Sequence, residues 1–162
     1  MKRIAALIAV LALMLGLAAC TANDEKKPVK TVAMETVKDA VCDVALADGM
    51  EELNADYVSR MLKLNAGDYD SCYAAISSVS LNINEFGVFK AKDAAQAAEI
   101  ESALNKYLEY RREIWMDEYL PDEYPKLENA SVHKEGLYVC YFILDDDTSA
   151  AALKAFEGCF ES

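Results

Sequence analysis

The run Leu137-Tyr138-Val139-Cys140-Tyr141-Phe142-Ile143-Leu144 restricts the architectures open to this chain more than any other stretch. Successive side chains of a strand point to opposite faces. Here both sets are apolar, Leu137, Val139, Tyr141 and Ile143 on one and Tyr138, Cys140, Phe142 and Leu144 on the other. Such a strand lies centrally and needs cover on both sides. Glu135-Gly136 precedes it as a turn, which makes Ser131 to Lys134 its hairpin partner. A two-residue turn at Glu135-Gly136 sets His133 opposite Tyr138 and diagonal to Cys140, whereas a three-residue turn reverses the faces, so the register stays open.

The rest of the domain supplies that cover. Glu35 to Ala47 carries Val37, Val41, Val44 and Ala45 at helical spacing and stops at Asp48-Gly49. A short helix is expected at Ala55 to Leu64 behind Asn54 as N-cap, with Val58, Met61 and Leu62 inward, followed by a loop at Asn65 to Asp68. From Tyr69 the period becomes two as far as Asn82, and Phe86-Gly87-Val88-Phe89 is a second strand in which Gly87 marks a bulge or the close approach of another backbone. Asp93 caps the longest helix, about Ala94 to Glu118, with a stripe of Ala97, Ile100, Leu104, Tyr107, Leu108, Arg111 and Trp115. Pro121 and Pro125 keep Tyr119 to Lys126 from continuing it. Asp145-Asp146-Asp147 caps a last helix, Thr148 to Phe160, with Ala152, Leu153, Phe156 and Phe160 inward. The irregular order of helices and strands predicts an α+β fold: a small antiparallel sheet of three to four strands packed by one long helix and flanking shorter helices.

The chain begins differently. Lys2 and Arg3 are followed by an uncharged run, Ile4 to Leu17, that ends at Leu17-Ala18-Ala19-Cys20. The order of charged, apolar and small residues is that of a signal peptide, and the apolar run is shorter than the ~20 residues a membrane-crossing helix needs. The closing tetrapeptide resembles a bacterial lipobox, in which the cysteine thiol is joined to diacylglycerol before the signal is cut off. Residues 1–19 are therefore expected to be a lipoprotein signal peptide, 20–33 the lipidated Cys20 with a flexible tether, and 34–162 a single acidic α+β domain. The tether, TANDEKKPVKTVA, is polar, contains Pro28 and has no periodicity. Two acyl chains suffice for stable anchoring, which places the domain on the extracytoplasmic face of the cell membrane.

The formal charge of −12 excludes nucleic acid as a partner and repels anionic polymers unless divalent ions bridge them. With Cys20 lipidated, four cysteines remain: Cys42, Cys72, Cys140 and Cys159. They match no metal-ligand spacing, and each falls among apolar neighbours. They read as core thiols; disulfides, in any of three connectivities, are the alternative outside the cytoplasm.

Three further stretches carry a family resemblance: Asn84-Glu85-Phe86-Gly87-Val88-Phe89-Lys90-Ala91-Lys92-Asp93 with the helix that holds Arg111, Tyr119-Leu120-Pro121-Asp122-Glu123-Tyr124, and Asn129-Ala130-Ser131-Val132 with Gly136-Leu137-Tyr138-Val139. Together they resemble a family of small bacterial lipoproteins catalogued only as a domain of unknown function. The resemblance covers most of Glu35 to Ser162. It implies a cell-surface lipoprotein of unassigned activity and brings no catalytic residues.

Candidate site residues are few. Arg111 lies four residues from both Tyr107 and Trp115, where a guanidinium can stack on the rings or hold an anionic ligand, or snorkel at the core rim. Glu85 is a ligand-contact candidate or a strand-end charge that pairs with a lysine. The stiff, aromatic-rich loop bearing Tyr119 and Tyr124, next to Trp115, is of the kind that contacts partners. His133, the only histidine, would have to serve any Ser-His or Cys-His chemistry. Asp145-Asp146-Asp147 lacks the glycine and distal glutamate of a calcium loop. No Gly-rich phosphate loop, HExxH, GxSxG or SxxK-type pattern is present, and neither cofactor nor metal is expected. The expectation is a non-catalytic, membrane-anchored binding module for an envelope protein or a small ligand, with Arg111, Trp115, Tyr119, Tyr124 and Glu85 as contact residues. The alternatives are an envelope enzyme using His133 or a carboxylate such as Glu85, and a structural or assembly lipoprotein.

Overall fold

The computed structural model describes residues 31–65, 69–116 and 118–161. The expected signal peptide, Cys20, the tether as far as residue 30 and most of the 65–68 loop lie outside the described residues. The described chain forms, in order, α1 (Met34–Ala45), β1 (Met50–Glu52), α2 (Ala55–Leu62), β2 (Ser71–Ser77), β3 (Glu85–Lys90), α3 (Ala94–Glu113), α4 (Tyr124–Glu128), β4 (Ser131–Glu135), β5 (Tyr138–Ile143) and α5 (Asp146–Gly158). The strands make one antiparallel sheet in the order β1-β2-β3-β5-β4. The fold is α+β as expected, with five strands instead of three or four. The additional strand is β1, whose three residues hold one apolar side chain, too few to show an alternation in sequence.

The all-apolar run becomes β5, and every residue from Tyr138 to Ile143 is buried. Its two faces feed two cores. On one, Val139, Tyr141 and Ile143 join Ala74 and Phe89 beneath Ala97, Ile100, Leu104 and Leu108 of α3, with Val58 and Leu62 of α2 at the edge. On the other, Tyr138, Cys140 and Phe142 join Phe86 and Val88 beneath Val37 and Val41 of α1 and Ala152 and Phe156 of α5. Burying a side chain of this size contributes ~1.5–3 kcal/mol relative to exposure, so the two-sided strand anchors both cores at once. Val32, just ahead of α1, packs against the second core, and its carbonyl accepts a hydrogen bond from the Tyr138 hydroxyl.

Helix starts follow their capping chemistry. Asn54, Asp93 and Asp145 each accept, at 2.9, 2.9 and 3.0 Å, the N–H three residues on: Tyr57, Gln96 and Thr148. Helix ends depart from expectation. α3 stops at Glu113, not Glu118, because Trp115 turns back onto Tyr124 and Arg112 reaches from the last turn to the carbonyls of Leu127 and Ala130. α2 stops at Leu62, with Lys63 left-handed (φ 53°). Val44, expected inward on α1, is exposed. Pro125 does not exclude helix but sits in the first turn of α4, where its missing N–H is not needed.

The turn expected at Glu135-Gly136 falls one residue later: a two-residue turn at Gly136-Leu137 pairs Glu135 with Tyr138, so His133 is not opposite Tyr138 as expected. Gly136 adopts φ 58°, as the first position of such a turn requires. His133 therefore faces Cys140 directly. No helix among the described residues is long and apolar enough to cross a membrane.

Candidate functional site

Glu85 opens β3, and its side chain points to the α3 face of the sheet. Only 1% of the residue is exposed, making it the one charged residue in either core among the described residues. A carboxylate taken out of water must be compensated, and three side chains converge on it. Tyr107 of α3 donates to both oxygens at 2.7 and 3.0 Å, Tyr141 of β5 donates to Oε1 at 2.7 Å, and Arg111 Nη1 lies 2.7 Å from Oε2. The same Nη1 donates to the Tyr107 hydroxyl at 2.6 Å, so that oxygen accepts from the cation while donating to the anion. The guanidinium also stands over the Tyr107 ring, 5.6 Å from its centroid.

The geometry follows from helix and strand periods. Tyr107 and Arg111 are one turn apart on α3 and share a face. Tyr141 pairs with Gly87 across the sheet and leans diagonally toward Glu85. Gly87 makes this possible: a Cβ there would lie 2.7 Å from Tyr141 Cε1. The expected close approach at Gly87 is thus that of an aromatic ring.

Burial first, then the charge on Glu85, pushes the phenols of Tyr107 and Tyr141 well above the ordinary range. Burial alone would lower Arg111, but Glu85 outweighs it and the net direction is upward. Tyr57 on α2 is raised as well, by burial and then by Glu85, which places α2 within the field of the same charges. With both phenols held neutral and the carboxylate saturated by donors, the quartet is built to fix positions.

What it fixes becomes apparent on the other side of Tyr107. That residue also lines a cleft of about 820 Å³ between the end of α2 and the outer face of α3. The α3 wall consists of two adjacent rows at four-residue spacing, Ala98-Ser102-Lys106-Tyr110 and Glu99-Ala103-Tyr107. Small residues at Ala98, Ser102 and Ala103 leave the concavity. Arg60, Met61, Leu62 and Lys63 make the facing wall. The volume falls in the ~300–1,000 Å³ range of small-molecule sites.

The sequence candidates fall in two places. Glu85 and Arg111 meet in the quartet; the anion held by Arg111 is Glu85, and Glu85 pairs with an arginine, not a lysine. Trp115, Tyr119 and Tyr124 gather beyond the end of α3, with Trp115 5.6 Å from Tyr124 and 6.1 Å from Tyr119 between ring centroids. Trp115 Nε1 is buried with no hydrogen-bond partner among the described residues, while Tyr119 is exposed.

His133 lies on the α1/α5 face of the sheet, opposite to Glu85, so the two cannot act together. Its Nε2 is 2.9 Å from Ser131 Oγ, beside a pocket of about 230 Å³ that Asp146 also lines. Burial lowers the His133 pKa. Asp145 caps α5. No disulfide joins Cys42, Cys72, Cys140 and Cys159, and no cluster of metal-ligating side chains occurs among the described residues.

Sequence reasoning missed Tyr107 and Tyr141 as polar groups, because each sits in an apolar stripe that reads as core. It missed the cleft altogether, since its walls lie about forty positions apart in the chain. The one available signal was Tyr107-x-x-x-Arg111 on a helix behind a strand that begins with a carboxylate.

An antiparallel sheet covered on both faces, with a buried carboxylate–guanidinium–phenol quartet beneath a cleft, defines an α+β module with a preformed concave surface. The chain belongs to the family described as Domain of unknown function (DUF4358), whose model matches residues 43–144, more than half of the chain. The matched span contains all five strands, the whole quartet and every residue lining the cleft. No curated protein and no solved structure matches the chain.

Proposed function

We propose that this protein is a lipid-anchored, extracytoplasmic, non-catalytic binding module that takes its ligand in the cleft between α2 and α3. The observation that carries the reading is Tyr107, whose ring lines the cleft while its hydroxyl is locked between Glu85 and Arg111. A wall residue clamped by three polar bonds is pre-organised, and pre-organisation is what lowers the cost of binding. The aromatic cluster of half-buried Trp115 and Tyr124 with exposed Tyr119 adjoins the same helix and supplies a second contact surface.

Anchoring rests on the lipobox-like Leu17-Ala18-Ala19-Cys20. Cys20→Ala in the full chain leaves the precursor unlipidated, and detergent phase partitioning reports it: the wild type enters the detergent phase and the variant loses diacylglycerol-dependent partitioning. Unchanged partitioning would refute the anchor. For the cleft, Ser102→Trp places an indole where the small row leaves space, and small-molecule binding is lost if the cleft is the site.

The Ser131–His133 contact favours a second reading, an envelope hydrolase with Ser131 as nucleophile and His133 as base. Asp146 in the same pocket opposes a developing oxyanion. Covalent capture of Ser131 by a fluorophosphonate probe would support this reading over the first.

A further inference from the structure

We propose that the cleft selects a small ligand with an apolar, ring-sized body and an anionic group. The inference rests on the preceding assignment of the cleft as the binding site and adds the chemical class of the ligand.

The evidence is the distribution of charge. The chain carries −12 overall, yet Arg60, Lys63 and Lys106 line the cleft against a single carboxylate, Glu99. Five of the other described cations, Lys38, Lys90, Arg111, Lys126 and Lys134, stand in ion pairs with Glu35, Asp70, Glu85, Glu123 and Glu101. Arg112 is turned onto the carbonyls of Leu127 and Ala130, and Lys154 is exposed on α5 and lines neither cavity. Arg60, Lys63 and Lys106 form no ion pair among the described residues; Arg60 donates from Nε to the Asp56 carbonyl of its own helix. In a protein with carboxylates to spare, a local surplus of unpaired cations around a concave apolar floor is a site whose potential is opposite to that of its surroundings, and such a site concentrates anions. Met61, Leu62, Ala103 and the Tyr107 and Tyr110 rings supply the floor for the apolar body.

The test uses full-length lipidated protein in nanodiscs, with empty nanodiscs as the blank, titrated calorimetrically with 2-naphthoate and with its neutral analogue 2-naphthamide. The wild type binds naphthoate about tenfold more tightly than naphthamide, a preference of ~1.4 kcal/mol. Lys63→Gln/Lys106→Gln brings the two affinities together by weakening naphthoate more than naphthamide. Ser102→Trp removes both. Equal affinities in the wild type, a preference that survives the double substitution, or no binding of either probe overturns the anionic assignment. Binding of both probes unchanged in Ser102→Trp overturns the cleft itself. Concentration-dependent self-association in sedimentation that Ser102→Trp abolishes would overturn the proposal in favour of a second copy of the chain.

Discussion

Gly87 stands directly across the sheet from Tyr141, and the ring of Tyr141 occupies the space a side chain at Gly87 would need. The hydroxyl thereby reaches Glu85, two residues earlier on the same face of β3. Gly87→Ala forces a methyl against a ring that is held at both ends. The expected cost is about 1–3 kcal/mol, the range of core overpacking. Urea denaturation measures it, and a stability equal to wild type would show that the ring moves aside freely.

The buried ion pair is expected to be worth little against an apolar substitute and a great deal against a broken one. Glu85→Ala leaves Arg111 uncompensated and two phenols without their acceptor, so about 3–5 kcal/mol is lost. Glu85→Leu with Arg111→Met removes both charges. That double variant is destabilised by at least ~1 kcal/mol less than the sum of its single substitutions, because the pair acts as a unit. Strict additivity in the double-mutant cycle would disprove the coupling.

His133 gives the domain a pH response. Burial lowers its pKa in the folded state, with Glu157 partly offsetting the shift. The unfolded chain therefore binds the proton more readily, so the stability tied to neutral His133 is complete above pH ~6.5 and is lost as pH falls through the folded value. The ring proton titration followed by NMR has its midpoint below 6.5, and His133→Gln removes that part of the acid sensitivity. A midpoint at or above 6.5 contradicts the assignment.

Thiol chemistry separates the cysteines. Cys140 is fully buried in β5, and burial pushes its pKa well above that of an ordinary thiol. Cys42 and Cys72 are raised too, by burial first, but each keeps some exposure. Alkylation by iodoacetamide near neutral pH modifies Cys140 only when the domain unfolds, and more slowly than Cys42 or Cys72. Mass spectrometry of the native protein that found Cys140 modified as fast as the others would overturn this.

The parts of the fold that could be read from the chain are those whose cause is local. Asn54, Asp93 and Asp145 each cap a helix through a side chain reaching three residues on, and the eight apolar residues ending at Leu144 declared a covered strand. Gly87 signalled a close approach, but of the Tyr141 ring, not of the backbone expected, and there is no bulge. The unreadable parts depend on partners far away in the chain. β1 exists because Met50 to Glu52 pair with Ala75 to Ser77, not because of their own pattern. Glu85 looks like any strand-end carboxylate until Tyr107, Arg111 and Tyr141 are brought to it from 22, 26 and 56 residues away. Arg60 and Lys63 line a common cleft only when α2 packs beside Lys106. Propensity and periodicity describe a segment's own face; they carry no information about which charges another segment will place in front of it.

The sheet also ends in a way that limits how such domains can join. β1 offers an incoming strand only three residues, Met50, Glu51 and Glu52, two of them acidic. The outer edge of β4 is also short, and its Lys134 is tied to Glu101 on α3. Charged, abbreviated edges are poor templates for backbone pairing. Neighbouring copies crowded on one surface would therefore resist fusing their sheets into a continuous ribbon.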